Sequence, residues 1–239
     1  TERLARRAVA LELPGRLSGH RLFRELRYLL AGSAASSGVR RLQGLDLLRF
    51  IHPDLGGQGG ARAAERVAEG QSVLGWYRLL YRAESVEAWQ VGLLLLLWEL
   101  GGEALESVLT DFELRARTVG ELAGDRRRAD TVADTLRRQG GPGGDPAARF
   151  EALEGLTLAG CLALMAVCED RVRAAISDYL QHQRGLRPAL SGDDLLALGV
   201  PSGPAVGEWL RDLTRARVRG EVIDRAGEEA RVRGATGSP

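Results

Sequence analysis

Apolar residues recur every three to four positions along almost the whole of this chain, and no stretch alternates apolar and polar residues as a strand would. That pattern restricts a chain of 239 residues to one fold class. It predicts an all-α molecule: a multi-helix body of roughly ten helices, stacked at right angles or as a solenoid, with a small helical tail and no sheet. Leu22, Phe23, Leu26, Leu29 and Leu30 form one stripe behind Ser18, a residue suited to capping. Val39, Leu42, Leu45 and Leu48 form the next, stopped by Pro53 and Gly56-Gly57, and residues 56–60 read as a glycine-rich loop. From Ser85 onward Val86, Trp89, Leu93, Leu96, Leu97 and Leu100 leave little polar face, the mark of a central buried helix.

Two helices are expected over 103–110 and 111–123, and a polar one over 126–138. The Gly-Pro-rich stretch Gln139 to Asp145 is the clearest break. A long helix from about Pro146 to Val167 should follow, with Phe150, Leu153, Leu156, Leu164 and Val167 inward and a bend or restart near Cys168. Ser191-Gly192-Asp193-Asp194 has the form of a capping box with Asp194 in place of Glu. Pro204 suits the first turn of a helix that buries Val206, Trp209, Leu210 and Leu213 and shows Glu208, Arg211, Arg215 and Arg219 on its other side. Residues after 232 read as disordered.

Composition removes several chemistries. All 33 basic residues are arginine, and the chain has neither lysine nor asparagine. A GKS or GKT phosphate loop, a Schiff-base lysine, an S-x-x-K acylation site and the ATP-pairing lysine of a kinase are therefore excluded. Cys161 and Cys168 stand seven apart in a helical pattern, which is no C-x-x-C zinc spacing. They read as small buried hydrophobes in a reducing compartment. No signal peptide pattern is present, and the strongest apolar run, Val91 to Leu97, is too short to span a bilayer. A cytoplasmic protein is expected. The chain begins at Thr1 inside a helical pattern, as a piece of a longer polypeptide would.

The three histidines form no HD doublet or HExxH, no Gly-x-Ser-x-Gly occurs, and Gly32-Ser33 is not followed by Asp-x-Asp. Adjacent residues Asp193 and Asp194 point about 100° apart on a helix and suit capping better than joint metal ligation. Neither a catalytic nor a metal site is assigned. Glu169-Asp170-x-x-Arg173 has a spacing that can read a nucleobase edge, although an ordinary i, i+3 ion pair at a helix start has the same form.

Charge points more clearly. Residues 1–60 hold 10 Arg against 5 acids (+5), residues 61–170 hold 12 against 18 (−6), and residues 171–239 hold 11 against 9 (+2), together the chain's +1. Basic ends flank an acidic middle, so a polyanion would touch the ends. Arg211, Arg215 and Arg219 can track phosphates along one helix face, with Arg184 and Arg187 in the preceding loop. The N–H groups opening the helix at Ser202-Gly203-Pro204 can hold one more phosphate, because glycine admits close approach. A salt-bridged outer face, Glu208 to Arg211 and Asp212 to Arg215, would explain the same residues without RNA. A second class of function is a helical interaction or dimerisation module that offers the apolar residues around Trp89 to Trp98 to a partner.

Ser191-Gly192-x-Asp194-Leu195-Leu196-x-Leu198-Gly199, Pro201-x-Gly203-Pro204-x-x-Gly207 and Gly220-Glu221 resemble the C-terminal end of bacterial class II tRNA nucleotidyltransferases, the CCA-adding and A-adding enzymes with the related poly(A) polymerases. Arg16-x-Ser18-x-x-Arg21-Leu22-x-x-Glu25-Leu26, then Leu47-Leu48 and Ile51-x-Pro53, are similar to the start of that family's helical body. His20 stands where the family often has Glu, and Ser202 where Pro is common. Residues 61–170 agree only in helical pattern.

The resemblance implies the end of the neck and start of the body in 1–60, the helical body in 61–185, the tail in 186–232 and a disordered end in 233–239. It places the catalytic head, and the base-reading E-D-x-x-R of the neck, upstream of Thr1, so that role is not carried onto Glu169 to Arg173. The chain would be inactive alone and hold no cofactor, with Mg and ATP or CTP belonging to the head. The implied partners are the tRNA acceptor–TΨC arm and that upstream head, with no membrane and with a homodimer left open.

Overall fold

The computed structural model of the chain describes residues 2–236. The described residues are all-helical, with no strand. The helices are α1 (Glu2–Ala10), α2 (Gly19–Ala31), α3 (Ala35–Gly44), α4 (Gly57–Arg78), α5 (Ala88–Leu96), α6 (Gly102–Asp111), α7 (Ala116–Arg138), α8 (Pro146–Glu154), α9 (Leu158–Val167), α10 (Asp170–Asp178), α11 (Gly192–Ala197), α12 (Pro204–Val218) and α13 (Arg225–Thr236). The chain divides into two compact units. One takes the residues up to Asp134 with Gly155–Arg173, and the other takes Thr135–Glu154 with Ala174 onward.

The first unit is organised by two helices with no polar face. Every residue from Val91 to Leu97 is buried, and so is every residue of α9 from Leu158 to Ala166. Such helices need cover on all sides. α4 packs on α3, α5 and α9, while α2 packs on α5. Gly70 permits the close approach of α4 to α5, since a Cβ there would lie 2.2 Å from Leu95 Cδ1. Phe23 meets Trp89 edge-on at 5.3 Å and stacks on Phe112 at 5.4 Å. The apolar segment around Trp89 to Trp98 is thus interior to this unit, which removes the partner face it was expected to offer.

Three local expectations give way. Gly59 and Gly60 are not a loop: they lie in the first turn of α4, where a Cβ on Gly59 would meet the Asp54 carbonyl oxygen at 1.8 Å. The helices expected over 111–123 and 126–138 are one helix, α7, because buried Leu122, Ala129, Val132, Ala133 and Leu136 continue its apolar stripe past Gly120 and Gly124. The long helix expected over 146–167 is two. The Thr157 hydroxyl accepts from Gly160 N at 3.1 Å and restarts the helix as α9. Asp125, only 2% exposed, fixes that cap by accepting from Thr157 N at 2.9 Å and Thr157 Oγ1 at 2.5 Å. Burial pushes the Asp125 carboxyl above its ordinary pKa. Cys161 and Cys168 are both buried and form no disulfide.

The second unit has a smaller apolar centre of Leu190, Leu195, Val200, Leu213 and Val232, with Val206, Trp209 and Leu210 packed against it. Ser191 and Asp194 form the expected capping box at the start of α11. Pro204 opens α12 at its first position. Polar ties complete the unit. Glu228, fully buried, accepts from Ala189 N at 3.0 Å, from Leu190 N at 2.9 Å and from the Arg217 guanidinium. Buried Arg149 donates to Gln183 Oε1 at 3.3 Å and the Pro142 carbonyl at 3.0 Å, and pairs with Asp178 at 2.5 Å. Residues 233–236, expected to be disordered, continue α13, which the Arg231–Asp212 pair ties to α12; residues 237–239 lie outside the described residues.

Candidate nucleic-acid interface

On α12 the residues 211, 215 and 219 fall one turn apart and share a stripe. Leu213 and Ala216 are buried on the other side, so Arg211, Arg215 and Arg219 are all exposed. The expected local pairing of this face is not what forms. Arg215 pairs with Glu151 of α8. Arg219 makes a two-pronged contact with Asp145, Nε at 3.1 Å and an Nη at 2.8 Å. Asp212, expected opposite Arg215, turns instead to Arg231 at 2.8 Å and 3.3 Å. Arg211 has no ion-pair partner among the described residues. The Arg219 guanidinium holds the Asp145 carboxyl down at about 2.

The other expected residues sit apart from that stripe in sequence. Gly203 precedes α12 with φ +107° and ψ −143°, a backbone conformation that favours glycine. Its opening offers fewer donors than the sequence suggests: Pro204 has no N–H, and Val206 N donates to the Gly203 carbonyl at 3.2 Å. Arg187 is exposed, with one Nη donating to its neighbour's carbonyl on Leu186 at 2.7 Å. Arg184 is half-buried at the end of the π-helical turn Tyr179–Gln183, which its N–H closes on the Tyr179 carbonyl at 2.8 Å. Arg173, the end of the E-D-x-x-R spacing, is occupied in the first unit, where its Nε donates to the Met165 carbonyl at 3.1 Å.

Sequence spacing missed the acidic partners Asp145 and Glu151, because they lie 74 and 64 residues from their arginines. The basic N-terminal end expected to touch a polyanion falls in the first unit. There Arg16, Arg21 and Arg40 are exposed, and an open cleft of 980 Å³ is lined by Glu12, Arg16, Asp46, Arg49, Phe50 and Pro53, with Arg49 paired to Asp46 at 3.2 Å. The Arg49 guanidinium lies 4.9 Å above the Phe50 ring in that cleft. The excess of arginine in residues 1–60 was the signal available. Among the described residues no group of three or more His, Cys, Asp or Glu is placed to hold a metal ion. No single helix among them is long and apolar enough to cross a membrane.

Residues 14–56, which include much of that cleft, match the family model described as the probable RNA and SrmB-binding site of polymerase A. Over 238 residues, 95% of this chain, the sequence is 33% identical to an A-adding tRNA nucleotidyltransferase of Geobacter sulfurreducens. Along nearly its whole length the chain is thus similar to part of a tRNA nucleotidyltransferase. It spans 26% of the length of that curated relative. Among solved structures, the Thermotoga maritima CCA-adding enzyme complexed with tRNA has a similar fold, with a TM-score of 0.77 at 18% identity over 98% of this chain and 56% of that one. A CCA-adding enzyme with CTP superposes with a TM-score of 0.76 at 19% identity over 100% of this chain and 55% of that one.

Proposed function

We propose that this chain is the tRNA-holding part of a nucleotidyltransferase that adds or repairs the 3′ CCA or terminal A of tRNA. The observation that carries the reading is the 33% identity to an A-adding tRNA nucleotidyltransferase along nearly the whole chain. The exposed arginine stripe of α12 and the basic region matched at residues 14–56 supply the chemistry such a role requires. The partner would be the acceptor–TΨC arm, recognised through phosphates and A-form shape with little base readout. Nucleotide addition, with Mg and ATP or CTP, would be the work of a head elsewhere in the parent polypeptide, in the cytoplasm. Arg184, Arg187, Gly203, Arg211, Arg215 and Arg219 are the positions we assign to RNA. A dimerisation module drew on the segment around Trp89 to Trp98, and the burial of that segment favours the RNA reading.

Fluorescence anisotropy with labelled tRNA tests the assignment. Arg215→Ala with Arg219→Ala should weaken binding several-fold. The slope of log affinity against log salt should fall by roughly 0.7 to 0.9 for each phosphate that is no longer neutralised. Unchanged affinity and slope would remove α12 from the interface.

A further inference from the structure

The arginines of the second unit fall into two classes. Arg217 and Arg149 pair with Glu228 and Asp178 from side chains only 19% and 5% exposed; Glu228 is itself fully buried, and Arg149 also donates to the Gln183 amide and the Pro142 carbonyl. Arg215 and Arg219 are different. Their side chains are 45% and 40% exposed, and those of their partners Glu151 and Asp145 are 44% and 43% exposed. Pairs at that level of exposure are among the weakest ties in a fold, because water and dissolved ions compete for both partners. A phosphate presents a guanidinium with the same forked acceptor geometry as a carboxylate.

We propose that Glu151 and Asp145 are competing ligands for the RNA-binding arginines of α12, holding Arg215 and Arg219 oriented and charge-neutralised until an array of phosphates displaces them. The inference rests on the RNA-binding reading of α12 above. The geometry makes exchange inexpensive on both sides. Asp145 also accepts from Ala147 N at 3.1 Å at the start of α8, so it keeps a role when Arg219 leaves. Arg219 retains Glu221, whose carboxylate lies 4.0 Å away. The two arginines sit about 6 Å apart along the helix axis, so adjacent contacts on a polyphosphate open both pairs together, while a lone anion must compete one pair at a time.

Asp145→Asn with Glu151→Gln tests this, because the amides keep side-chain shape and Asn still caps α8. Glu154→Gln with Glu208→Gln is the control. It removes the same charge from two other exposed positions, Glu154 on α8 and Glu208 on α12, neither of which forms an ion pair with an arginine among the described residues. The labelled tRNA should bind D145N/E151Q about three- to tenfold more tightly than wild type, with a steeper salt slope, and the control less than twofold more tightly. In an R215A/R219A background the gain should shrink to the control's size. A gain no larger than the control's, or one that persists without the two arginines, overturns the proposal. If R215A/R219A alone leaves tRNA binding unchanged, the functional reading falls instead. Should melting show that D145N disturbs the unit, Glu151→Gln alone, paired with Arg215→Ala, carries the same comparison.

Discussion

The two units of this chain are stabilised by different physics. The first surrounds α5 and α9, whose buried faces are Leu, Val, Ala and Gly almost throughout, and its buried polar residue among those described is Asp125. The second has a smaller apolar centre and contains Arg149, Gln183 and Glu228, the other buried polar residues described. Packing defines the first unit, whereas in the second charged side chains connect α8, the turn after α10, α12 and α13. The difference bears on the proposed exchange, which needs partners that can let go, and the exposed pairs of the second unit, Arg215–Glu151 and Arg219–Asp145, are of that kind.

The largest expected effects set the two kinds of core against each other. Glu228→Ala leaves Arg217 and the Ala189 and Leu190 N–H groups without their acceptor, at a cost of about 3–5 kcal/mol. Leu95→Ala in the first unit should cost about 2–5 kcal/mol through a cavity. Hydrogen exchange separates them: the first variant should expose the amides around Ala189, and the second those of α4 and α5. A Glu228→Ala cost below about 1 kcal/mol would show that the second unit, too, is held by packing alone.

A smaller effect, opposite in sign between the units, is expected with acid. Arg219 lowers Asp145 to about 2, and Arg225 with the Ser191 donors holds Asp194 well below the usual carboxylate range. A carboxyl depressed in the folded state stabilises above its unfolded pKa near 4, and that contribution is lost as pH falls toward 2. Asp125 is raised by burial, so its contribution runs the other way: it costs stability as pH rises from about 4 through its folded pKa. Lowering the pH from 4 to 2 should therefore loosen the amides near α8 and α11 before those of α9. The reverse order would contradict the comparison.

Much of the fold was readable because it depends on local pattern. The capping box at Ser191, the start of α12 at Pro204 and the burial of α5 all follow from residues a few positions apart. What was misread depends on distant contacts. Thr157 caps a new helix, α9, where Asp125, 32 residues earlier, holds it. Glu228 drew no reading from the sequence, because the Ala189 and Leu190 N–H groups that bury it lie 39 and 38 residues away. The arginine face of α12 was legible as a face, but its partners were not, since local spacing offered Asp212 where the fold supplies Glu151.

Binding of labelled tRNA, set beside an unstructured RNA of equal length and charge at near-physiological salt, tests the central claim most directly. A surface that grips the acceptor arm by its shape should hold tRNA at least tenfold more tightly, and R215A/R219A should erode that preference. Equal affinity for the two RNAs would mean that the arginines attract polyanions in general, and the assignment of this chain to holding tRNA would be wrong.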